Sequence, residues 1–203
     1  MDFIYGLDPM PPQFSPENYS FLGANKFLVG TTRSKQYVAD LRDTPHLLVA
    51  GQTGGGKSTF LRQFIASLYL NNPHYQFSLI DLKGGLEFQL FENLPRIEVI
   101  GDVAGSVYLL QKTAQEVASR MELLKENKCK DISSYMALPT EKRKTAPSSK
   151  PSRHVIVVDE AAELFMAGSH STAADVQSAR RSLSQIARQG RSLGIHLVIA
   201  TQR

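Results

Sequence analysis

The sequence contains a single cysteine, Cys129, and no tryptophan among its 203 residues. One thiol excludes an internal disulfide and a cysteine-based zinc site, and it fits a reducing compartment. No apolar run approaches the roughly 20 residues of a membrane span, and Met1-Asp2-Phe3 does not open a signal peptide. We therefore expect a cytoplasmic protein without a membrane span, which partner proteins could recruit to the inner face of a membrane.

Acidic residues are absent from positions 176–203, which hold five arginines. A second basic cluster, at positions 140–153, holds five basic residues and one acid. The net charge of the whole chain is only +4, so the remaining residues are net negative. Basic clusters of this kind can bind nucleic acid, but a solvated face has the same composition. Charge alone leaves both interpretations open.

The composition, 42% hydrophobic and 21% charged, is that of an ordinary globular protein. Residues 1–25 are rich in proline, asparagine and serine and predict an irregular arm. Residues 26–40 carry two short apolar runs around a polar turn, the pattern of a β-hairpin. We predict one domain over 26–203, with a flexible loop at 140–152 where proline, serine and charged residues replace apolar ones.

Residues 51–58 read GQTGGGKS and match the phosphate-loop pattern G-x-x-x-x-G-K-[ST] at every defined position. A short apolar run precedes them, and residues 59–70 carry apolar side chains at helical spacing. Only glycine lets the backbone N–H groups approach a polyphosphate so closely, and the following helix offers its positive end. The predicted nucleotide-binding residues are Gly51, Thr53, Gly54, Gly55, Gly56, Lys57, Ser58 and Thr59. Lys57 is assigned to the β- and γ-phosphates and Ser58 to Mg²⁺.

Apolar runs at 76–82, 97–100, 155–158 and 196–200 alternate with helical patterns at 103–124 and 176–193. Alternating strands and helices predict an α/β fold with a mostly parallel central sheet and right-handed crossovers. The fold class is therefore a P-loop NTPase core flanked by helices and preceded by a small hairpin.

Two acids, Asp159 and Glu160, end the buried strand at 155–158. At the carboxyl end of a parallel strand an aspartate can hold Mg²⁺, and a following glutamate can orient or deprotonate water. Two acids that merely end a strand at the surface are the alternative. Gln202 closes the last strand at the same edge, where its amide could contact the γ-phosphate or serve solubility alone.

A guanine-reading N-K-x-D motif is missing, because the stretch from Asn127 to Asp131 places its aspartate one position too late. We therefore predict ATP, with Mg²⁺, as the cofactor.

Four segments together resemble the FtsK/SpoIIIE family of DNA-pumping ATPases: residues 39–51, 80–83, 158–164 and 187–203. The last is the most specific, since family members carry a similar A-R-x-x-R-x-x-G-I-H-L-x-x-A-T-Q-R. The resemblance covers residues 27–203 and implies a RecA-like motor domain, active as a homo-hexameric ring around double-stranded DNA. Relatives continue beyond the position of Arg203, so we expect either a fragment or a short relative.

The resemblance also implies roles for individual residues. Lys57 and Ser58 match the Walker A pair, Asp159 and Glu160 the Walker B pair, and Gln202 the sensor. Arg191, or else Arg188, would reach into a neighbouring subunit's site and neutralise charge on the transferring phosphoryl group. Because their helix ends one strand away from Gln202, we expect both arginines near the nucleotide edge of the sheet.

Two other functions stay open at this point. The residues 81–85, DLKGG, also resemble relatives from conjugation and type VII secretion, which would act as coupling or secretion ATPases on a protein or nucleoprotein. A nucleotide-gated regulatory subunit without turnover is a third interpretation, and the presence of Glu160 argues against it. We predict an ATP-hydrolysing motor for double-stranded DNA, in chromosome segregation or in transfer of a mobile element.

Overall fold

The computed structural model describes residues 22–23, 25–32, 35–52, 54–144, 151–166 and 171–202. The predicted arm at 1–25 falls almost wholly outside these ranges. The described chain divides into two compact units: one contains the described residues up to Thr44 with Ser58–Pro73, and the other contains Pro45–Lys57 with the described residues from His74 onward.

The first unit contains the predicted hairpin and one helix. Strands β1 (Lys26–Thr31) and β2 (Gln36–Asp40) pair antiparallel, with a bulge between Leu28 and Gly30. Helix α1 runs over Lys57–Asn71 and belongs to this unit from Ser58 onward. The rings of Phe27 and Phe64 meet edge to face with centroids 4.8 Å apart, an arrangement that aromatic pairs favour.

The second unit is a five-stranded parallel sheet in the order β3-β7-β6-β4-β5. Its strands are β3 (His46–Ala50), β4 (Gln76–Asp81), β5 (Ile97–Ile100), β6 (His154–Asp159) and β7 (Ile195–Thr201). All six residues of β6 are buried, as expected for a central strand of a parallel sheet covered on both faces. The predicted α/β class with a parallel sheet and a preceding hairpin is confirmed.

Two long helices, α2 (Val103–Glu126) and α5 (Ala173–Leu193), pack on one face of this sheet. Asp102 caps α2 as predicted, since its Oδ1 accepts the Gly105 N–H over 2.8 Å. α5 begins three residues before the predicted start because Thr172 and Asp175 form a reciprocal capping box. The common core is Val107, Leu110, Val117, Leu124, Ile156, Val158, Leu183, Ile186 and Leu197.

Two short helices, α3 (Ile132–Ala137) and α4 (Ala162–Phe165), were not predicted. α3 starts from a capping box made by Asp131 and Ser134. In the segment that the sequence predicts as a flexible loop, Thr140–Lys142 forms one 3-10 turn and the Arg143 guanidinium donates to the Leu138 carbonyl over 2.9 Å. Residues 145–150 lie outside the described ranges.

A buried polar network ties the amino edge of the sheet to α2. Arg120 donates to the carbonyls of Leu193 and Ser152 over 2.7 and 2.6 Å. The His154 ring bonds Ser78 Oγ over 2.8 Å. These contacts join α2, the end of α5 and two strands. They therefore fix the positions at which the chain passes from the crossover helices back into the sheet. None of the helices within the described ranges combines the length and hydrophobicity that a membrane-spanning helix requires.

Candidate functional site

The phosphate loop follows the carboxyl end of β3. Gly54 and Gly56 adopt φ of +81° and +84°, a region that favours glycine. The Gly55 N–H donates to the Gln52 carbonyl over 2.9 Å, and a Cβ at Gly55 would lie 3.0 Å from that same oxygen. Apart from its chain neighbours, a Cβ built on Gly54 or Gly56 meets no atom of a described residue within 4 Å, so there is open space beside these two glycines. The loop thus has the backbone and the room to receive a polyphosphate; Thr53 lies outside the described residues.

Lys57 joins this loop to the end of the central strand. Its ammonium group forms an ion pair with Oδ1 of Asp159, and both side chains are only 4% exposed. Asp159 is the last residue of β6. The structure therefore brings the two sequence motifs together through one buried contact. Removing either side chain would leave the other as an uncompensated buried charge, which is strongly destabilising.

Glu160 lies directly after β6 in a conformation that non-glycine residues rarely adopt, with φ +54°. Its side chain is buried, and its Oε1 accepts from Thr201 Oγ1 over 3.2 Å and from the Gln202 N–H over 3.4 Å. The next residue is also held by β7, since the Ala161 N–H donates to the Ala200 carbonyl over 2.9 Å. Glu160, Asp159 and Gln202 are thus neighbours at one edge of the sheet.

The remaining predicted ligands sit at the start of α1. Ser58 and Thr59 are its second and third residues, half-buried and exposed respectively. The first residues of a helix carry N–H groups that the helix itself does not use, which suits an anion. Within the described ranges no group of three or more His, Cys, Asp or Glu side chains could hold a metal alone. A magnesium ion would therefore need phosphate and hydroxyl oxygens besides Asp159, its usual arrangement with nucleotides.

Two residues near this edge were missed by the sequence reasoning. Asp81 is fully buried at the end of β4, directly paired in register with Asp159. Its carboxylate accepts the N–H groups of Lys83 over 3.0 Å and Glu87 over 2.7 Å and so holds the following loop. Thr201 is the second: the sequence placed it at this edge together with Gln202, but its role as the donor to Glu160 was not predicted. Both could have been recognised in the sequence, because they are polar residues at the carboxyl ends of strands in a parallel sheet, where ligand-binding sites are usually found.

The arginines of α5 are not where the sequence analysis placed them. The Gly194 carbonyl accepts from the His154 N–H over 2.9 Å at the start of β6, so the end of α5 lies at the amino edge of the sheet. Arg191 is therefore about 20 Å, the length of β7, from the phosphate-loop edge. The prediction that Arg188 and Arg191 lie near the nucleotide edge is wrong. A helix that crosses over between parallel strands returns the chain to the amino end of the next strand.

The residues that mimic a guanine-reading motif have structural roles. Asn127 lies at the carboxyl end of α2, where its side chain donates to the Leu123 carbonyl over 2.8 Å. Asp131 caps α3 by accepting the Ser134 N–H over 2.7 Å. Both side chains are explained by helix capping, which agrees with the choice of ATP over GTP.

Sequence and structural comparisons agree with this architecture. The model of the FtsK/SpoIIIE family matches residues 22–203. The chain belongs to the FtsK/SpoIIIE family. It is 34% identical over 188 residues to the DNA translocase FtsK of Helicobacter pylori (strain ATCC 700392 / 26695), covering 90% of this chain and 20% of that protein. The chain thus spans about a fifth of the length of the curated relatives it matches.

Two solved structures extend the comparison. The monomer form of the pCW3 conjugation coupling protein TcpA with ATPγS is 32% identical, with a TM-score of 0.77, over 92% of this chain and 51% of that one. The cytoplasmic domain of the type VII secretion ATPase EccC of Thermomonospora curvata is 25% identical, with a TM-score of 0.69, over 94% of this chain and 23% of that one. The chain is therefore similar to proteins named for DNA translocation, for conjugative coupling and for type VII secretion.

Proposed function

We propose that this FtsK/SpoIIIE domain binds Mg-ATP, hydrolyses it and uses the energy to move double-stranded DNA. The observation that carries the proposal is the buried Lys57–Asp159 ion pair, with Glu160 held beside it by β7. In this proposal, the ammonium group of Lys57 serves the phosphates, the carboxylate of Asp159 serves the metal and the carboxylate of Glu160 serves the water, all at one sheet edge. A domain that only bound nucleotide would not need Glu160 in a constrained conformation.

Each group has a defined task in this proposal. The backbone N–H groups of residues 54–57 bind the phosphate oxygens, and Lys57 Nζ exchanges Asp159 for the β- and γ-phosphates. Asp159 is then available to the magnesium shell, to which the motif also assigns the Ser58 hydroxyl. Bound Mg²⁺ neutralises charge that develops on the phosphoryl oxygens. Glu160 orients or deprotonates the attacking water, and Gln202 couples the end of β7 to the γ-phosphate.

The position of Arg191 supports an assembly of several subunits. Since Arg191 is about a strand length from its own phosphate loop, it can act on a nucleotide only in a neighbouring subunit. We propose a homo-hexameric ring in which Arg191, or else Arg188, completes the next site. TcpA is named as a conjugation coupling protein that binds ATPγS, and the Helicobacter protein as a DNA translocase. These names support ATP as cofactor and DNA as substrate for a cytoplasmic motor.

The test is ATP hydrolysis by the purified chain with and without double-stranded DNA, at several salt concentrations. Stimulation that disappears steeply as salt rises is expected, because phosphate contacts release counterions. The Glu160→Gln variant should lose hydrolysis with and without DNA. If DNA does not change the rate of hydrolysis, the assignment of the nucleotide site is retained and double-stranded DNA is excluded as the substrate.

A second function has one observation in its favour. The likenesses to TcpA and to EccC are to proteins named for conjugative coupling and for type VII secretion. A coupling or secretion ATPase would act on a protein or nucleoprotein. In that case an unfolded polypeptide or a partner protein, rather than bare duplex, would stimulate hydrolysis in the same assay.

A further inference from the structure

The solvent face of α5 carries a concentration of arginines, of which only Arg188 is also a candidate for a neighbouring subunit's nucleotide site. Its buried stripe contains Val176, Ala179, Leu183, Ile186, Gly190 and Leu193. At about 100° per residue, Arg181 and Arg188 project from the opposite side of the helix, and Arg180 lies on its flank, roughly 90° from the centre of the stripe. All three are exposed, and they line one shallow groove of about 490 Å³ together with Ser184, Gln185 and Gln189. We call this surface the arginine face.

Among the described residues, no ion pair neutralises the charges of the arginine face. Arg42 pairs with Asp40, Lys57 with Asp159 and Arg120 with Glu116. By contrast, within the described residues no acidic side chain lies in an ion pair with Arg180, Arg181 or Arg188. Arg188 Nε donates to the Ser184 carbonyl of its own helix over 3.2 Å, and the Arg180 guanidinium lies 5.6 Å from the Phe165 ring centroid. These contacts restrain two of the side chains and leave the positive charges exposed.

The side chains between the arginines indicate which partner fits. Ser184, Gln185 and Gln189 are hydrogen-bonding residues, and no described residue that lines the groove is aromatic or a large aliphatic one. A protein partner is usually anchored by such apolar side chains. Arginine, serine and glutamine are instead the side chains that contact phosphate and sugar oxygens. The chemistry of the groove therefore favours a nucleic-acid backbone over an acidic protein.

We propose that the arginine face binds the phosphate backbone of double-stranded DNA. The inference rests on the proposed DNA motor function and names the surface that holds the substrate. From Arg180 to Arg188 the face is about 12 Å long, and a duplex presents about seven phosphate charges over that distance. Phosphate contacts carry no base information, so the face holds DNA of any sequence. Arg191, one turn further along, is left to the neighbouring nucleotide site.

The experiment is the salt dependence of binding to a fluorescent 20-base-pair duplex. Each phosphate contact contributes about 0.9 to the slope of log affinity against log salt. Arg180→Gln/Arg181→Gln should therefore lower the slope by about 1.8, and Arg181→Gln alone by about 0.9. Between 50 and 200 mM salt the parent should lose about 12-fold more affinity than the double variant. Lys125→Gln/Lys130→Gln removes the same charge from exposed positions, one in the last turn of α2 and one just beyond it, and should leave the slope unchanged.

Each outcome decides the proposal. If the parent binds duplex and both arginine variants keep its slope, the arginine face is not the DNA-binding surface, while the proposed DNA motor function is retained. If the parent does not bind duplex at any salt, both fail together. If the arginine variants lose binding to a polyglutamate peptide but not to duplex, the face binds an acidic protein and the proposal is overturned. The single variant retains the Arg180–Phe165 contact, so it reports on charge even if the double variant is less stable.

Discussion

Thr201 Oγ1 donates a hydrogen bond to Glu160 Oε1 over 3.2 Å, so the last residue of β7 holds the acid that follows β6. The Gln202 N–H adds a second contact to the same oxygen over 3.4 Å. Glu160 needs such support because its φ of +54° is costly for a residue with a side chain. The direction of the proposed catalytic carboxylate is therefore set by the neighbouring strand as well as by its own.

Glu160→Gln should bind Mg-ATP with near-parental affinity and hydrolyse it at least 100-fold more slowly, since the amide cannot act as a base. Nucleotide binding by filter assay and phosphate release by a coupled assay measure the two effects. Glu163→Gln, an exposed acid on α4, is the matched control and should behave like the parent. Parental turnover by Glu160→Gln would exclude the proposed role.

Lys57→Ala should abolish nucleotide binding and also destabilise the fold. It leaves the Asp159 carboxylate buried without its cation, which costs about 3–5 kcal/mol in free energy of unfolding. Lys57→Ala/Asp159→Asn removes the unpaired charge, so it should recover much of that stability while staying inactive. Urea denaturation and ATP binding are the measurements. Equal stability of the single and double variants would contradict the buried ion pair.

The free energy of unfolding should rise with pH between about 3 and 6.5 because of His196. This ring is fully buried: Nδ1 donates to the Pro45 carbonyl over 3.1 Å, and Nε2 accepts from Arg153 over 3.1 Å. Burial, together with the Arg153 guanidinium, lowers its pKa from 6.5 to about 3. The unfolded chain therefore binds a proton that the folded chain does not. The stabilising contribution is complete above pH 6.5 and is lost as the pH falls, by at most about 1.4 kcal/mol per pH unit.

Urea midpoints at pH 4.5, 5.5 and 6.5 test the histidine. His196→Asn should flatten the pH dependence in this range, whereas His74→Gln, at an exposed position, should leave it unchanged. If His196→Asn kept the full slope, other groups would account for it.

Gly190→Ala should destabilise the protein by about 1–3 kcal/mol, the usual cost of overpacking. A Cβ at this position would lie 2.4 Å from the Ile195 carbonyl oxygen and 3.3 Å from His46 Cε1. α5 and the start of β7 therefore approach each other only because residue 190 has no side chain. Thermal unfolding measures the effect, and Gln189→Ala, exposed on the same helix, should change stability by less than about 0.5 kcal/mol.

Mixed rings test the trans-acting arginine. Arg191→Ala and Glu160→Gln should each be inactive alone, and mixing them should restore some hydrolysis. A mixed ring can build one site from Glu160 of one chain and Arg191 of the next. Co-assembly is checked by cross-linking of differently tagged chains. If mixed rings are shown to form and hydrolysis is not recovered, Arg191 has no trans-acting role in catalysis. The same experiment is then carried out with Arg188→Ala.

The periodic and motif-level features were predictable because they depend on local chemistry. The glycines at 54 and 56 indicated φ values above zero, and the run at 155–158 indicated a buried strand. α3 and α4 were not predicted, because helices of six and four residues carry too little periodicity to detect. α3 starts from a local contact between Asp131 and Ser134, whereas α4 starts from the Glu160 turn, which becomes visible only with β7 in place.

The sequence by itself determined the family, the fold class and the two nucleotide motifs, since each is written in contiguous residues whose spacing has a direct physical meaning. The tertiary structure decided which residues meet across the sheet. It paired Lys57 with Asp159, gave Glu160 its support from Thr201, and set Arg191 at the edge away from the phosphate loop. These relationships depend on strand order and crossover direction, which bring together residues about 40 to 100 positions apart and which no local pattern encodes.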